Sequence, residues 1–188
     1  DANVHTCTLQ GTALNTGAHT NLALATNANA CVNWANALVD GTIYTVTFDA
    51  TDGAGNHAAT VTNTLVTFDT SNPAITATAP AASTSFGVQQ ASYTLSEAAS
   101  SGAIVFTRTG GTADANVHTC TLQGTALNTG AHTNLALATN ANACVNWANA
   151  LVDGTIYTVT FDATDGAGNH AATVTNTLVT YDTNFPVI

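Results

Sequence analysis

The chain has 188 residues and a formal net charge of −10, with 11 acidic residues, no lysine and one arginine, Arg108. This composition argues against nucleic-acid binding, which needs clustered Lys and Arg. No run of 18 apolar residues occurs, so no membrane-spanning helix is predicted. Thr supplies 37 residues and alternates with Val, Ile, Tyr and Phe, as in half-buried strands. We therefore predict an all-β fold.

A long internal repeat organises the chain. Residues 1–70 and 114–183 have the same sequence except that Phe68 is replaced by Tyr181. The offset, 114 − 1 = 113 residues, is about the size of one domain, so each repeat can have its own core. We predict that 1–70 is the C-terminal two thirds of one repeat, that 71–183 is a complete repeat, and that 184–188 begins the next.

Alternating apolar residues predict seven strands in the complete repeat. They cover 74–79, 91–96, 104–109, 117–122, 134–138, 156–163 and 172–182. Segments 69–73 and 182–186 each follow a strand with polar residues and a proline, which cannot donate to a ladder, so they are predicted linkers. Seven short strands without a helical period indicate an antiparallel β-sandwich.

Each repeat carries two cysteines, and their spacing fits neither a CxxC redox pair nor a zinc site. We expect one disulfide per repeat, Cys7–Cys31 and Cys120–Cys144, which would close about 25 residues and require an oxidising compartment. The alternative is a pair of buried free thiols in each repeat.

The segment 151–163, repeated as 38–50, has the pattern of a tyrosine corner. In this arrangement a leucine anchors the turn, a glycine permits it, and a buried tyrosine bonds its hydroxyl to upstream backbone. The predicted corner residues are Leu38, Gly41, Tyr44, Leu151, Gly154 and Tyr157. The glycine-rich segment 165–169 that follows is explained by a hairpin turn.

The run TIYTVTFDATDGAGNHAATVTNTLVTYDT resembles the bacterial immunoglobulin-like repeats of large secreted adhesins and biofilm proteins. The resemblance covers the whole repeat and is most specific in GTIY, DGAGN and the exit linker FDTSNP. It implies an immunoglobulin-like (fibronectin-III-like) fold and an extender role in a stalk or filament at the cell surface. The implied partners are neighbouring repeats of the same chain, or identical chains in a fibre.

The resemblance also implies that calcium stiffens the junctions between repeats, although calcium-stiffened repeats usually lack the cysteine pair found here. If the fold is immunoglobulin-like, the linker meets two loops of the following domain, and these segments carry the oxygen ligands that calcium prefers. The candidate ligands are Asp69, Asn72, Glu97, Asp165 and Asn169. The alternative is that Asp and Asn occur there because turns need them. No cofactor other than this candidate calcium is expected.

No combination of residues marks an active site, and we expect the protein not to be an enzyme. The six histidines are three positions seen twice, and none has the spacing of paired metal ligands, so they are expected at the polar surface. Trp34 and Trp147 are expected in the core, with a sugar-binding platform as the alternative. Two further functional hypotheses stay open: a glycan- or protein-binding module that gains avidity by repetition, and a strand-exchanging fibre subunit.

Overall fold

The computed structural model describes residues 1–26, 30–139 and 143–185. The chain divides into two compact units, Asp1–Thr70 and Ser71–Ile188. Apart from the 3₁₀ turns Gly11–Leu14 and Gly124–Leu127, the regular structure of the described residues consists of strands. The prediction of an all-β fold is confirmed. Of the predicted next repeat at 184–188, residues 186–188 lie outside the described residues.

The first unit contains four described strands: β1 (Thr8–Leu9), β2 (Cys31–Val32), β3 (Thr42–Phe48) and β4 (Val61–Phe68). They form two separate antiparallel pairs, β1 with β2 and β3 with β4. Because each pair is only two strands wide, neither can cover an apolar face by itself.

The second unit contains nine described strands, which form two sheets. They are β5 (Ile75–Ala79), β6 (Ser85–Phe86), β7 (Gln90–Leu95), β8 (Ala99–Gly111), β9 (His118–Leu122), β10 (Gly130–Ala136), β11 (Cys144–Val145), β12 (Thr155–Asp165) and β13 (Val174–Tyr181). One sheet has the order β10-β7-β5 and the other β11-β9-β8-β12-β13-β6. Every pairing is antiparallel except that of β6 with β13, which is parallel.

All seven predicted strands are present, but their number and bounds differ from the prediction. The two-residue strands β6 and β11 were not predicted, and β6 adds one parallel pair to otherwise antiparallel sheets. Strand β8 begins at Ala99 rather than 104, because its first residues are small and polar and lack apolar alternation. At Gly102 a Cβ atom would lie 2.7 Å from the carbonyl oxygen of Asp162, so this glycine allows the two strands to approach.

The core of the second unit lies between its two sheets. Tyr157, Val159 and Phe161 alternate along β12 and are almost fully buried. The opposite sheet contributes Tyr93 and Leu95 from β7, and the rings of Tyr93 and Phe161 lie 6.3 Å apart. Burial of each large side chain contributes roughly 1.5–3 kcal/mol to stability. Two sheets packed on one core form a β-sandwich.

The repeated sequence does not have the same secondary structure in both units. Strand β10 pairs only with β7, and the identical residues 17–23 of the first unit form no strand. Strand β12 has 11 residues, whereas its counterpart β3 has 7, because residues 162–165 pair with β8. No described strand of the first unit corresponds to β7 or β8. Partner strands therefore decide the structure of these segments.

Candidate functional site

The residues of the expected tyrosine corner lie together at the start of β12. Tyr157 is fully buried, and its hydroxyl accepts a 3.1 Å hydrogen bond from the backbone N–H of Val152. Gly154 has φ +74°, a conformation that favours glycine, and Leu151 is buried beside the turn. This geometry fixes the path by which the chain enters β12.

The first unit repeats the corner with the same sequence. The hydroxyl of Tyr44 accepts a 3.0 Å hydrogen bond from the N–H of Val39, and Gly41 has φ +71°. Leu38 is only partly buried. The turn therefore forms from local sequence, even where fewer strands surround it.

The hydroxyl of each corner tyrosine donates a hydrogen bond to a carboxylate, a contact that the sequence pattern did not predict. In the second unit the hydroxyl of Tyr157 donates to Oδ2 of Asp114 at 2.6 Å, and Nε2 of His118 lies 2.7 Å from the same oxygen. Nδ1 of His118 lies 3.2 Å from the carbonyl oxygen of Asn149. We call Asp114, His118 and Tyr157 the buried triad. Asp1, His5 and Tyr44 make the same contacts in the first unit.

The buried triad alters the acidity of its members. Burial alone raises the pKa of Asp114, but hydrogen bonds from Tyr157, the N–H of Asn116 and His118 outweigh this effect and lower the pKa to about 2. Burial, with the hydrogen bond to Asp114, raises the pKa of Tyr157. Asp114 is therefore ionised at neutral pH, and the tyrosine keeps its proton. The arrangement ties the segment before β9 to β12.

The expectation that the histidines lie at the polar surface is wrong for His118. Its exposed fraction is 3%, because it lies between Asp114 and the ring of Trp147, which is 5.5 Å away. His19, His57 and His170 are exposed as expected, whereas His132 is partly buried and the side chain of His5 is only 5% exposed. The signal that could have revealed the buried histidine is the spacing of Asp114 and His118, four residues apart and preceding a tyrosine corner.

Disulfides join the two cysteines of each repeat. They link Cys7 to Cys31 and Cys120 to Cys144, with Cα atoms 5.1 Å apart in both cases. The prediction of one disulfide per repeat is confirmed, and the alternative of free thiols is wrong. In the second unit the bridge connects β9 to the short strand β11, which pair at Cys144 and Leu122. The bridge thus holds the edge of the larger sheet.

Trp147 lies in the core of the second unit, as expected. Its ring is edge-on to Phe106 at 5.8 Å and is 8% exposed. A sugar-binding platform requires an exposed ring face, which Trp147 does not offer. Trp34 is only partly buried and is not among the core residues, so the expectation that it lies in the core is wrong.

Two of the candidate calcium ligands lie together in the second unit. Carboxylate oxygens of Glu97 and Asp165 are within 4.8 Å of one another, at the loop between β7 and β8 and the turn after β12. Glu97 is partly exposed, whereas Asp165 is 3% exposed. Asn72 is exposed, and Asp69 belongs to the first unit. Two carboxylates this close repel each other unless hydrogen-bond donors or a cation balance their charge.

Asp165 also organises its own turn. Its Oδ1 accepts hydrogen bonds from the N–H groups of Ala167 and Asn169, both at 2.8 Å, and its Oδ2 accepts one from Nδ2 of Asn169 at 2.8 Å. Burial alone raises the pKa of Asp165, but these hydrogen bonds, with one from Gly168, outweigh burial and lower it. Asp52 makes the same three contacts in the first unit. The turn chemistry therefore accounts for Asp and Asn at these positions without a metal.

No protein-family model matches the chain, and no curated protein sequence matches it. The resemblance to bacterial immunoglobulin-like repeats consequently stays a prediction. Within the described residues, no helix has the length and apolar character needed to cross a membrane.

Proposed function

We propose that this chain is a non-enzymatic structural repeat of an extracellular adhesin or filament, in which it acts as an extender. The observation that carries the proposal is the near-identity of residues 1–70 and 114–183 at a domain-sized offset. Copying a domain without change adds length, stiffness and copies of any weak contact, whereas it adds no new chemistry.

The order of strands in the second unit supports an immunoglobulin-like identity for the repeat. In such domains the first, second and fifth strands share one sheet, and the third, sixth and seventh strands share the other. Here β5, β7 and β10 form one sheet, and β8, β12 and β13 lie side by side in the other. The tyrosine corner at the start of β12 occupies the position that this fold assigns to it.

Two observations support placement outside the cell and a structural role. Disulfides persist in oxidising compartments, and each repeat carries one. The polar groups of the buried triad and of the Asp165 turn bond to neighbouring protein groups. These groups stabilise the fold, and a glycan-binding module loses its expected platform because Trp147 is buried.

We further propose that Glu97 and Asp165 bind a calcium ion. Asp69, Asn72 and Asn169 complete the proposed set of calcium ligands. Calcium takes six to eight oxygen ligands, which two carboxylates cannot supply alone. Asp69 and Asn72, in the predicted linker, are the candidates for the missing oxygen ligands. Binding at this position would couple the linker to the loops of the following repeat.

Small-angle X-ray scattering of a polypeptide with four complete 113-residue repeats tests the proposal. We expect rod-like scattering in the presence of calcium. In excess chelator we expect a shorter persistence length, which means a more flexible particle. Rod-like scattering in both conditions would support the extender role and would show that calcium is not needed for stiffness. A compact particle in both conditions overturns the extender role.

A further inference from the structure

The aspartate of each corner turn bonds to the residue at which its repeat ends. In the second unit, Oδ1 of Asp153 accepts the backbone N–H of Thr183 at 2.7 Å and the hydroxyl of Thr183 at 2.8 Å. Oδ2 of Asp153 accepts a hydrogen bond from Nδ2 of Asn184 at 2.8 Å. One carboxylate therefore holds two successive residues of the segment that leaves β13.

The same contact occurs in the first unit. Oδ1 of Asp40 accepts both the backbone N–H and the hydroxyl of Thr70, the hydroxyl at 2.8 Å. The positions are equivalent, because 40 + 113 = 153 and 70 + 113 = 183. We call each of these contacts, Asp40 with Thr70 and Asp153 with Thr183, the clamp of its repeat. The clamp forms in both units although their other strands differ.

Turn chemistry does not explain the clamp aspartates. Asp165, which organises its own turn, bonds to backbone N–H groups two and four residues away. Asp153 instead bonds to a residue 30 positions further along the chain. The hydrogen bonds from the N–H and the hydroxyl of Thr183 lower the pKa of Asp153, so its carboxylate is ionised at neutral pH. Hydrogen bonds to an ionised carboxylate are stronger than those between neutral groups.

The chain that follows the clamp of the first unit is soon fixed again, in the second unit. Pro73 is fully buried there. The N–H of Ala74 donates to Oγ of Ser96 at 2.8 Å, and the N–H of Ser96 donates to the carbonyl oxygen of Ala74 at 3.0 Å. The second unit therefore holds the chain from Pro73 onward.

Two residues, Ser71 and Asn72, connect the clamp residue Thr70 to Pro73. The backbone has two soft dihedral angles per residue, so a connection of two residues has few ways to bend. The residue before a proline is further restricted to extended conformations, and here that residue is Asn72. Without the clamp, the residues that follow β4 would add their own dihedral angles to the joint. The clamp therefore limits the length of chain that can bend.

We propose that Asp40 and Asp153 are positioning residues that stiffen the joint after each repeat, by holding Thr70 or Thr183 to the corner turn. The joint then resists bending without calcium, and calcium adds to a stiffness that the clamp already provides. This inference deepens the proposed extender role and rests on it. The clamp residues lie outside the candidate calcium ligands, so the two contributions can be separated.

Amide NMR relaxation of the full chain in excess chelator tests the clamp. The order parameter of Thr70 is expected to be about 0.85, as in rigid backbone, and the two units are expected to share one rotational correlation time. In Asp40→Ala the order parameter of Thr70 should fall below about 0.6, and the units should tumble with separate, shorter correlation times. The matched control is Asp153→Ala, which should release Thr183 in the same way but leave Thr70 and the shared tumbling unchanged.

Thr70→Val keeps the test valid if Asp40→Ala disturbs the corner turn, because it removes only a hydroxyl donor. The order parameter at position 70 should then lie between those of the unaltered chain and Asp40→Ala. A rigid Thr70 with shared tumbling in Asp40→Ala overturns the clamp and leaves the extender role intact. Separate tumbling of the unaltered chain in chelator but not in calcium also overturns the clamp alone. Separate tumbling in both conditions overturns the extender role as well.

Discussion

The hydroxyl of Tyr157 donates a 2.6 Å hydrogen bond to Oδ2 of Asp114, and this contact joins strand β12 to the segment that leads into β9. The same hydroxyl accepts the N–H of Val152, so one side-chain atom connects three parts of the second unit. Oδ2 of Asp114 also lies 2.7 Å from Nε2 of His118. A carboxylate with several donors in a buried position is stable as the anion, and the loss of any one donor is costly.

Tyr157→Phe should therefore destabilise the second unit by about 1–3 kcal/mol, because it removes one donor to Asp114 and leaves the N–H of Val152 unpaired. Urea unfolding can follow this unit alone in a Trp34→Phe background, where Trp147 is the only fluorescent tryptophan. The matched variant is Tyr44→Phe, at the partly exposed counterpart, measured by Trp34 in a Trp147→Phe background. Its loss should be smaller, and equal losses would contradict the burial argument.

Acid should weaken the second unit through Asp114. Its pKa in the folded chain is about 2, below the ordinary value of 3.8. A lowered pKa stabilises the fold above the unfolded value, and this contribution is lost as pH falls from about 4 towards 2. Asp114→Asn should be less stable at pH 7 and should lose less stability across this interval. Asp162→Asn, which removes an exposed carboxylate of β12 outside the buried triad, is the control and should keep the acid dependence that Asp114 causes. An unchanged slope in Asp114→Asn would falsify this assignment.

Local sequence pattern predicts the strands of this protein but not the contacts between residues that are distant in the chain. The alternation of apolar residues in 156–163 predicts a strand, and in the structure every second side chain of this segment is buried. The position of His118 depends on Asp114 and Trp147, which only the folded chain brings together. Residues 130–136 and 17–23 make the point most directly, since the same sequence is a strand beside β7 and no strand in the first unit. Pairing between distant segments, rather than local propensity, decides such elements.

Among the candidate calcium ligands, some positions follow from local sequence and others depend on the fold. The roles of Asp165 and Asn169 can be predicted from sequence alone, because Asp and Asn side chains in a glycine-rich turn bond to the nearby backbone. The approach of Glu97 to Asp165 depends on the loop between β7 and β8 and could be expected only from an assumed immunoglobulin-like fold.

Replacement of Cys120 and Cys144 by Ser should lower the stability of the second unit by roughly 3–4 kcal/mol on the chain-entropy account. The bridge closes about 25 residues, and without it the short strand β11 is held to β9 by only two residue pairs. Urea unfolding in the Trp34→Phe background measures the change. The same replacement at Cys7 and Cys31 should leave that transition in place.

The disulfides should also limit exchange between neighbouring repeats, since nearly identical segments can complete one another. In a polypeptide of several repeats, the Cys120→Ser/Cys144→Ser change made in every repeat should raise the fraction of swapped dimers on size exclusion after refolding. A single repeat with the same change is the control for stability. Equal dimer fractions in single and multiple repeats would show that the bridge acts on stability alone.

Calcium should stabilise the second unit through Glu97, the only glutamate of the chain. Binding to the folded state alone adds RT ln(1 + [L]/Kd), which is about 2.7 kcal/mol at a hundredfold excess over Kd. We expect the Trp147 unfolding midpoint to rise with calcium and to return to its original value with chelator. Glu97→Gln should abolish the rise while keeping the turn of Asp165 intact. Asp153→Asn removes a carboxylate outside the set and should preserve the rise. Since calcium needs more oxygens than Glu97 and Asp165 provide, Asp69→Asn should reduce the effect as well.

Two outcomes would contradict the calcium proposal. If the unfolding midpoint still rises with calcium in Glu97→Gln, the ion binds elsewhere. If the midpoint rises at no calcium concentration, Asp165 serves only to organise its own turn.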